Sequence, residues 1–183
     1  VSFQPILGDI RDKTLLQRVF SSFNPDVVFH AAAYKHVPMQ ENHPWEAILT
    51  NIQGTLNLID SSEEYNVNRF VLVSTDKAVN PTNIMGATKR VAEKLIQSKS
   101  IDSKVKFMAV RFGNVIGSSG SVIPTFQEQI RNGGPITITN PNMQRYFMSI
   151  SEAAQLILQA GAMGAGGEIY VLDMGKPVNI QNI

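Results

Sequence analysis

The segment NPDVVFHAAA, residues 24–33, decides the fold. Its centre, residues 27–29, is a short β-branched and aromatic run of the kind that forms a buried strand, and three alanines follow it. Similar runs lie at residues 1–6, 70–73, 107–110 and 169–172. The sequence therefore predicts five strands, and their continuous apolar character is typical of a sheet that is covered on both faces.

Longer segments with helical spacing separate these strands. Three apolar stripes predict helices: Leu15, Leu16, Val19, Phe20 and Phe23; Trp45, Ile48, Leu49, Ile52, Leu56 and Ile59; and Val91, Leu95 and Ile96. Trp45 is assigned to the core as a member of the second stripe. Because strands alternate with helices, the sequence predicts βαβ units and an α/β fold with a doubly wound parallel sheet.

Composition excludes several classes of protein. The 183 residues carry 16 basic and 15 acidic side chains, so the chain lacks the basic excess of a nucleic-acid-binding protein. It has no cysteine, which excludes disulfides, thiol nucleophiles and cysteine-ligated metals, and its three histidines match no metal-ligand spacing. No apolar run approaches the roughly 20 residues needed to cross a bilayer. We expect a soluble globular protein that binds neither nucleic acid nor metal.

The character of the sequence changes after Asn114. Glycine-rich segments at residues 117–121 and 132–135 punctuate the rest of the chain, with short strand and helix signals between them. We predict that residues 1–116 form the sheet and that residues 117–183 form a smaller region across the carboxyl ends of the strands. Both ends of the chain are expected to be cut from a longer protein.

The segment STDK, residues 74–77, is the clearest functional signal. It follows the predicted strand at 70–73, and in a doubly wound sheet ligands bind at the carboxyl ends of the strands. Further along, Met85 and Lys89 lie four residues apart at the start of a predicted helix, so they share one face. We expect these groups to converge on one ligand; the alternative is a solvated loop with a helix N-cap.

Four stretches together resemble one protein family: HAAAYKHVPMQE (30–41), STDKAVNPTNIMGATKR (74–90), RFGNVIGSSGSVIPTF (111–126) and MQRYFMSISEA (143–153). They are similar to extended short-chain dehydrogenase/reductases, and within them to the UDP-N-acetylglucosamine 4,6-dehydratases of bacterial capsule and glycan synthesis. The resemblance implies a Rossmann-like fold, NAD or NADP as cofactor, a UDP-linked amino sugar as substrate and a homo-oligomer. It also implies a cytoplasmic location, with the inner face of the membrane as the site expected for the full-length protein.

Two features depart from the general pattern of this family. The G-x-G-x-x-G turn, and the acidic residue that selects NAD over NADP, are absent and would precede Val1. We therefore expect a fragment that lacks the first strands of the sheet, holds part of the cofactor site and is inactive when isolated. Met85 stands where the usual catalytic tyrosine would be, which resembles the longer, membrane-anchored members; their anchor would also lie upstream.

The resemblance suggests a chemical role for each residue of the polar cluster. Asp76 is expected to take the proton of the sugar 4-hydroxyl and later deliver it to the hydroxyl that leaves carbon 6. Lys77, which must first be neutral, is expected to take the carbon 5 proton. Thr75 would orient the 4-hydroxyl and Lys89 the nicotinamide ribose, whereas Met85 has no proton to exchange.

Binding residues are also carried over by position. Cofactor contacts are expected from Asp9, Ile10, Ala31, Ala32, Ala33, Asn51, Ser74 and Lys89. Substrate contacts are expected from Lys35, His36, Asn114, Val122, Pro124 and Arg145, the last as a diphosphate ligand. A phosphate turn at residues 117–120 is weighed against a plain linker.

Structural alternatives stay open for most of these residues. Asp9 is read as an adenine contact or a helix cap, and the alanines as a ligand surface or as tight helix–sheet packing. Arg145 is alternatively a surface ion pair, His36 a satisfied loop histidine and Asn51 a helix-surface residue. For the whole chain, the rivals to a dehydratase are a nucleotide-sugar epimerase of the same fold and a catalytically silent binding module.

Overall fold

The computed structural model describes residues 2–118, 122–138 and 140–182. The strands are β1 (Val27–His30), β2 (Arg69–Val73), β3 (Lys106–Arg111), β4 (Asn114–Val115), β5 (Gln144–Arg145), β6 (Phe147–Met148), β7 (Ile169–Val171) and β8 (Val178–Asn179). The helices are α1 (Lys13–Phe23), α2 (Val37–Asn42), α3 (Pro44–Ile48), α4 (Thr55–Glu64), α5 (Ile84–Lys99), α6 (Val122–Arg131) and α7 (Ile150–Met163). A π-helix (Leu49–Gly54) joins α3 to α4, and 3-10 turns span Asp76–Ala78 and Ile180–Asn182.

The main sheet has four parallel strands in the order β1-β2-β3-β7. Phe70 on β2 pairs with Val28 on β1 and with Phe107 on β3, while Ala109 pairs with Ile169 on β7. The four strands coincide with four of the five predicted apolar runs. The predicted α/β fold with a doubly wound parallel sheet is confirmed.

Apolar side chains are buried on both faces of this sheet. On one face Phe70 and Phe107 pack with Ile59 of α4 and Ile96 of α5. On the other face the core is smaller, and Ala160 of α7 belongs to it. Burial of the central strands β2 and β3 on two faces explains why their sequences are apolar without alternation, whereas Val27 and Phe29 of β1 and Val171 of β7 are exposed.

The rest of the chain adds two short ladders beside the main sheet. Strand β4 pairs with β6 in parallel, and β5 pairs with β8 in the antiparallel sense. Strand β4 begins three residues after β3 ends, so the β4–β6 ladder lies next to the carboxyl end of the main sheet. A division into two regions at residue 116 stays a prediction.

The predicted strand at residues 1–6 is wrong for the residues that the structure describes. Residues 2–6 are exposed and have no regular secondary structure. The physical reason is that a strand needs a partner, and β1 is paired within the described ranges only with β2.

The assignment of Trp45 to the core is also wrong, because its side chain is 72% exposed. The buried face of this helical segment contains Ala47, Asn51, Thr55 and Ile59 instead. The π-helix adds about one residue to a turn, which rotates the segments on either side of it relative to each other. An apolar stripe drawn with a constant helical period therefore does not follow the buried face.

Three other members of the predicted stripes are exposed as well. They are Phe23 at the end of α1, Leu49 in the π-helix and Val91 in α5. In α5 the buried face instead contains Met85, Lys89, Ala92 and Ile96, so Val91 points away from the sheet. Among the described residues, none of the helices combines the length and apolar character needed to cross a bilayer.

Candidate active site

A cavity of about 560 Å³ opens at the carboxyl ends of β1, β2 and β3. Residues predicted from the sequence to bind or act on a ligand make up much of its wall: Ala31, Ala33, Lys35, His36, Ser74, Thr75, Lys77, Met85, Lys89, Asn114 and Val122. The carboxyl edge of a doubly wound sheet is where ligands bind in such folds. This cavity is therefore the candidate active site.

The polar cluster after β2 is organised by a tight turn. Thr75 caps the 3-10 turn, and its hydroxyl accepts a hydrogen bond from the Lys77 amide at 3.4 Å and donates one to Asp76 at 3.0 Å. The Lys77 ammonium lies 3.0 Å from the same Asp76 carboxylate oxygen. Thr75, Asp76 and Lys77 thus form a connected group of hydroxyl, carboxylate and ammonium.

Asp76 differs in placement from its neighbours. It lines an adjacent cavity of about 370 Å³, together with Arg111 and Asp173, and is absent from the lining of the main one. Its carboxylate is joined to the main cavity through its contacts with Thr75 and Lys77. The sequence predicts that the four groups at 74–77 converge on one ligand, but Asp76 lines a different cavity from Ser74, Thr75 and Lys77.

Helix α5 brings Met85 and Lys89 to the main cavity on one face, as their spacing predicts. Asn83 caps the helix, its side-chain oxygen accepting a hydrogen bond from the Gly86 amide at 2.8 Å. A Cβ at Gly86 would lie 2.5 Å from the Lys77 carbonyl oxygen, so glycine allows α5 to approach the 3-10 turn closely.

Lys89 is only 7% exposed, and its ammonium donates a hydrogen bond of 2.8 Å to the Val73 carbonyl. Burial lowers the pKa of Lys89 to about 8, although the negative charge of Glu93 opposes this shift. Lys89 is therefore a largely buried cation in the wall of the main cavity.

Glu93 is a buried charge that the sequence prediction missed. Its carboxylate accepts two hydrogen bonds from the Arg111 guanidinium, at 2.7 and 2.6 Å, and one from the Ser74 hydroxyl at 2.7 Å. Burial raises the pKa of Glu93, but the bonds from Arg111 and Ser74 outweigh this effect and hold it below its usual value. A glutamate in a helix normally indicates an exposed face; its spacing of four residues from Lys89 was the available signal.

Asn51 lies in the π-helix and is 1% exposed, so it is not a helix-surface residue. Its side chain accepts a hydrogen bond from the Tyr34 amide at 2.8 Å and donates to the Tyr34 carbonyl at 3.1 Å and to the Thr88 hydroxyl at 3.0 Å. It also donates to Gln40 at 3.1 Å. Asn51 thus ties the loop after β1 to α5 and does not line the main cavity.

His30 ends β1 beside this network. Its Nε2 lies 2.9 Å from the Thr55 hydroxyl, whereas its buried Nδ1 has no hydrogen-bond partner among the described residues. Burial, and to a smaller extent the charge of Lys89, lowers the pKa of His30 to about 3. The ring is therefore neutral at physiological pH.

Asp9 and Ile10 lie outside the main cavity. The Asp9 carboxylate binds Arg11, with contacts of 2.7 and 2.9 Å, and the bonds from Arg11 lower the pKa of Asp9. Helix α1 is capped by Asp12, so the alternative reading of Asp9 as the cap is wrong. Ile10 packs against the core, and its carbonyl accepts a hydrogen bond from Asn57 at 3.1 Å.

Three predicted substrate residues, Asn114, Val122 and Arg145, line a smaller cavity of about 130 Å³. Asn114 and Val122 belong to its wall and to that of the main cavity. Arg145 donates a hydrogen bond to the Gln144 carbonyl at 2.8 Å and forms no ion pair with the described residues, contrary to the surface-ion-pair alternative.

Other predicted residues do not line the main cavity or fall outside the described residues. Ala32 lies in the loop after β1, and Pro124 lies in the first turn of α6; neither lines the main cavity. The predicted phosphate turn at 117–120 falls partly outside the described residues. Ser121, which precedes Val122, lies outside them. Gly117, which is described, adopts φ of 76°, a conformation that favours glycine.

Comparison with known proteins places these residues in a family context. A family model described as polysaccharide biosynthesis protein matches residues 1–183. A capsular polysaccharide biosynthesis protein, CapD, from Staphylococcus aureus is 57% identical over 100% of this chain and 31% of its own length. The chain thus spans about a third of that relative.

Two further relatives carry different activities in their names. A UDP-N-acetylglucosamine 4,6-dehydratase (inverting) from Campylobacter jejuni is 40% identical over 90% of this chain and 50% of its own length. A UDP-glucose 4-epimerase from Rickettsia rickettsii is also 40% identical, over 90% of this chain and 49% of its own.

Solved structures share the fold. Pen from Bacillus thuringiensis superimposes with a TM-score of 0.91 at 41% identity and covers 96% of this chain and 54% of its own. A dTDP-glucose 4,6-dehydratase from Streptomyces venezuelae, solved with NAD bound, has a TM-score of 0.87 at 24% identity, over 96% of this chain and 59% of its own, and supports the fold alone.

Proposed function

The chain belongs to the polysaccharide biosynthesis protein family, and from this premise we propose that it forms the catalytic centre of a nucleotide-sugar 4,6-dehydratase. The observation that carries the proposal is the group of Thr75, Asp76 and Lys77, linked by contacts of 3.0 Å at the edge of the main cavity. A dehydratase needs an acid for the departing hydroxyl and a base for a carbon-bound proton, and this group offers both.

The main cavity fits the nicotinamide end of a dinucleotide. Ala31 and Ala33 line it with side chains no larger than a methyl group, which leaves room for a flat ring close to the backbone. Lys89 offers an ammonium to a ribose hydroxyl from the same wall. When bound, NAD would supply oxidation at sugar carbon 4 and reduction at carbon 6. Asp9, Ile10, Ala32, Asn51 and Ser74 are kept as proposed cofactor-site residues, of which Asn51 would act by holding the loop after β1.

The substrate is proposed to be UDP-N-acetylglucosamine. Its sugar would occupy the main cavity near Lys35 and His36, and its diphosphate would extend past Asn114 and Val122 to Arg145. The two cavities share Asn114 and Val122, which makes a continuous path for such a ligand. The guanidinium of Arg145 suits a diphosphate because it presents several donors in one plane. Pro124 would border the uracil ring.

The chain's own residues would then move the protons. Asp76 takes the proton of the 4-hydroxyl through Thr75, whose hydroxyl lines the main cavity, orients the sugar hydroxyl and donates to Asp76 at 3.0 Å. In the ion pair with Asp76, Lys77 is an ammonium, so as the sugar binds Lys77 must leave the 3.0 Å contact and release one proton to solvent before its amine acts as a base at carbon 5. Asp76 next gives its proton to the hydroxyl that leaves carbon 6 as water, and Lys77 returns the proton to carbon 5. The net reaction is loss of one water.

The test uses the full-length protein incubated with UDP-N-acetylglucosamine and NAD, followed by proton NMR. We expect a new methyl signal from carbon 6, and at least a 100-fold loss of turnover in Asp76→Asn and in Lys77→Ala, the range for loss of a general acid or base. Asp102→Asn and Lys104→Ala, an exposed acid and base remote from the cavity, are the matched controls. Near-normal turnover in either site variant would refute the role of that residue.

A second candidate, a 4-epimerase, is favoured by the Rickettsia relative. An epimerase releases no hydroxyl, so it would change the configuration at carbon 4 without producing a carbon 6 methyl group. The same NMR time course distinguishes the two reactions. A homo-oligomer and a location on the cytoplasmic side of the membrane remain proposals for the full-length protein.

A further inference from the structure

Glu93 binds residues of the candidate active site without lining its cavity. It is fully buried on α5, one turn after Lys89. An isolated buried carboxylate is costly, yet this one is ionised because it accepts hydrogen bonds from Arg111 and Ser74. The positions of Ser74 and Arg111 therefore indicate what Glu93 does.

The contacts of Glu93 join three elements at the base of the cavity. Ser74 immediately follows β2, Arg111 ends β3, and Glu93 itself belongs to α5. The Ser74 amide also donates a hydrogen bond to the Val110 carbonyl at 2.7 Å, which continues the β2–β3 pairing to this point. The cavity-lining residues Thr75 and Lys77 follow Ser74 directly. Glu93 thus links α5 to the ends of β2 and β3 directly before the cavity-lining residues Thr75 and Lys77.

The same carboxylate acts on Lys89 through its charge. The other charged and titratable groups on the elements around Lys89 include His30 on β1, Arg90 and Arg111, which both bind Glu93, and Lys35, His36 and Lys77 in the cavity wall; none of these six is an acid. Glu93 therefore supplies the negative charge that counters the burial of Lys89.

We propose that Glu93 is a positioning residue, which fixes the segment after β2 through Ser74 and Arg111 and gives Lys89, one turn earlier on the same buried helix face, a counter-charge. The proposal deepens the proposed dehydratase function, since it concerns the same site. It nevertheless has consequences that can be measured in the absence of any reaction.

The experiment measures the charge of Lys89 in the full-length protein. Lysines are labelled with an acylating reagent across a pH series, and mass spectrometry gives the pH at which Lys89 is half-reactive. In Glu93→Gln we expect this midpoint to fall by at least half a unit, which makes Lys89 about threefold more reactive at pH 7. Glu63→Gln is the matched control. Glu63 lies on α4, away from the cavity, and forms an ion pair of 2.7 Å with Lys99 at the end of α5. Equal Lys89 midpoints in the two variants would overturn the proposal.

Two further variants guard against misfolding. Glu93→Asp keeps the charge, and we expect it to return the Lys89 midpoint to within about 0.2 units of the wild type. If Glu93→Gln does not fold, the double variant Glu93→Met with Arg111→Met removes both buried charges together, which proteins tolerate better than loss of one partner. That variant is compared with Arg111→Met alone, which differs from it only at Glu93, and equal Lys89 midpoints in these two variants would also overturn the proposal.

Activity separates this proposal from the proposed function. A wild-type protein that makes no 4-keto-6-deoxy sugar, with a Lys89 midpoint that still responds to Glu93, would refute the function and leave the role of Glu93 standing. An active wild type whose Lys89 midpoint ignores Glu93 would do the reverse. In an active enzyme we expect the alkaline limb of the pH profile to move to lower pH in Glu93→Gln and not in Glu63→Gln.

Discussion

Individual buried polar residues determine how this site responds to pH. His30 and Lys89 lie close enough for the charge of Lys89 to affect His30, and burial disfavours the charged form of both. His30 is neutral in the folded protein, while Lys89 is held near the point where it begins to lose its proton. Protons therefore bind to these two residues less readily in the folded state than in the unfolded state.

For His30 the consequence is a loss of stability in acid. The pKa of His30 is about 3 in the folded protein, whereas an unperturbed histidine, as in the unfolded chain, has a pKa of 6.5. Below pH 6.5 the unfolded chain therefore binds a proton that the folded chain does not. The free energy of unfolding then falls as pH decreases from 6.5 toward 3, by about 1.4 kcal/mol per unit, or about 2 kcal/mol by pH 5.

Urea unfolding of the full-length protein at pH 7 and pH 5 measures this effect. We expect His30→Gln to lose about 2 kcal/mol less than the wild type between the two pH values. His43→Gln, at an exposed histidine, is the matched control and should behave as the wild type does. An identical acid response in His30→Gln and the wild type would show that His30 does not stay neutral in the folded protein.

At the scale of elements, the π-helix Leu49–Gly54 holds the loop after β1, which lines one side of the main cavity. It places Asn51 on the buried face, where its amide reaches both the loop after β1 and α5. π-helical turns are rare and occur frequently at functional sites, since they redirect side chains within a continuous helix. This one connects the loop that begins with Ala31 to the helix that carries Lys89.

We therefore predict that Asn51→Ala loosens that loop. The change removes the hydrogen bonds that the Asn51 side chain makes with the Tyr34 amide and carbonyl, each of which contributes about 1 kcal/mol. Hydrogen exchange of the full-length protein should show faster exchange in residues 31–36 and little change in β3. Gln53→Ala, in the same π-helix and bonded to Asn57 at 3.0 Å, is the control. Unchanged exchange in residues 31–36 would mean that Asn51 does not hold the loop.

The elements also show how far sequence patterns reach. The runs at 27–29, 70–73, 107–110 and 169–172 all predict strands correctly, but burial on both faces accounts for the continuous apolar character only at 70–73 and 107–110, since Phe29 and Val171 in the outer strands are exposed. The cap of α5 and the shared face of Met85 and Lys89 follow from local spacing. These features depend on neighbours in the chain, so the sequence contains them.

Features that depend on distant partners were not predictable in this way. Trp45 was misplaced because the π-helix changes the helical period, and the burial of Glu93 depends on Arg111, 18 residues away. The direction of the Asp76 side chain follows from its contacts with Thr75 and Lys77 and from the second cavity beside it. The apolar periodicity of a segment depends on that segment alone, so it carries no information on contacts with distant residues.

For the whole molecule, the distribution of ligand-binding groups limits what this chain does alone. The sequence contains no G-x-G-x-x-G turn, the feature with which such folds bind a pyrophosphate at a helix N-terminus. Asp9, the residue proposed for the adenine end, has its carboxylate bound to Arg11. In the proposed cofactor site, the groups of this chain that line the main cavity, Lys89 and two of the alanines after β1, would contact the nicotinamide end alone.

We therefore predict that the isolated 183-residue chain binds NAD weakly, without saturation up to about 1 mM, the concentration at which a bound state is worth only about 4 kcal/mol. Isothermal titration of the isolated chain and of the full-length protein makes the comparison, with circular dichroism to establish that the isolated chain is folded. The full-length protein should bind at least 100-fold more tightly, since a pyrophosphate cradle adds charge-assisted hydrogen bonds. Micromolar binding by the folded isolated chain would mean that the main cavity and its surroundings already hold the whole dinucleotide, with Arg11 releasing Asp9.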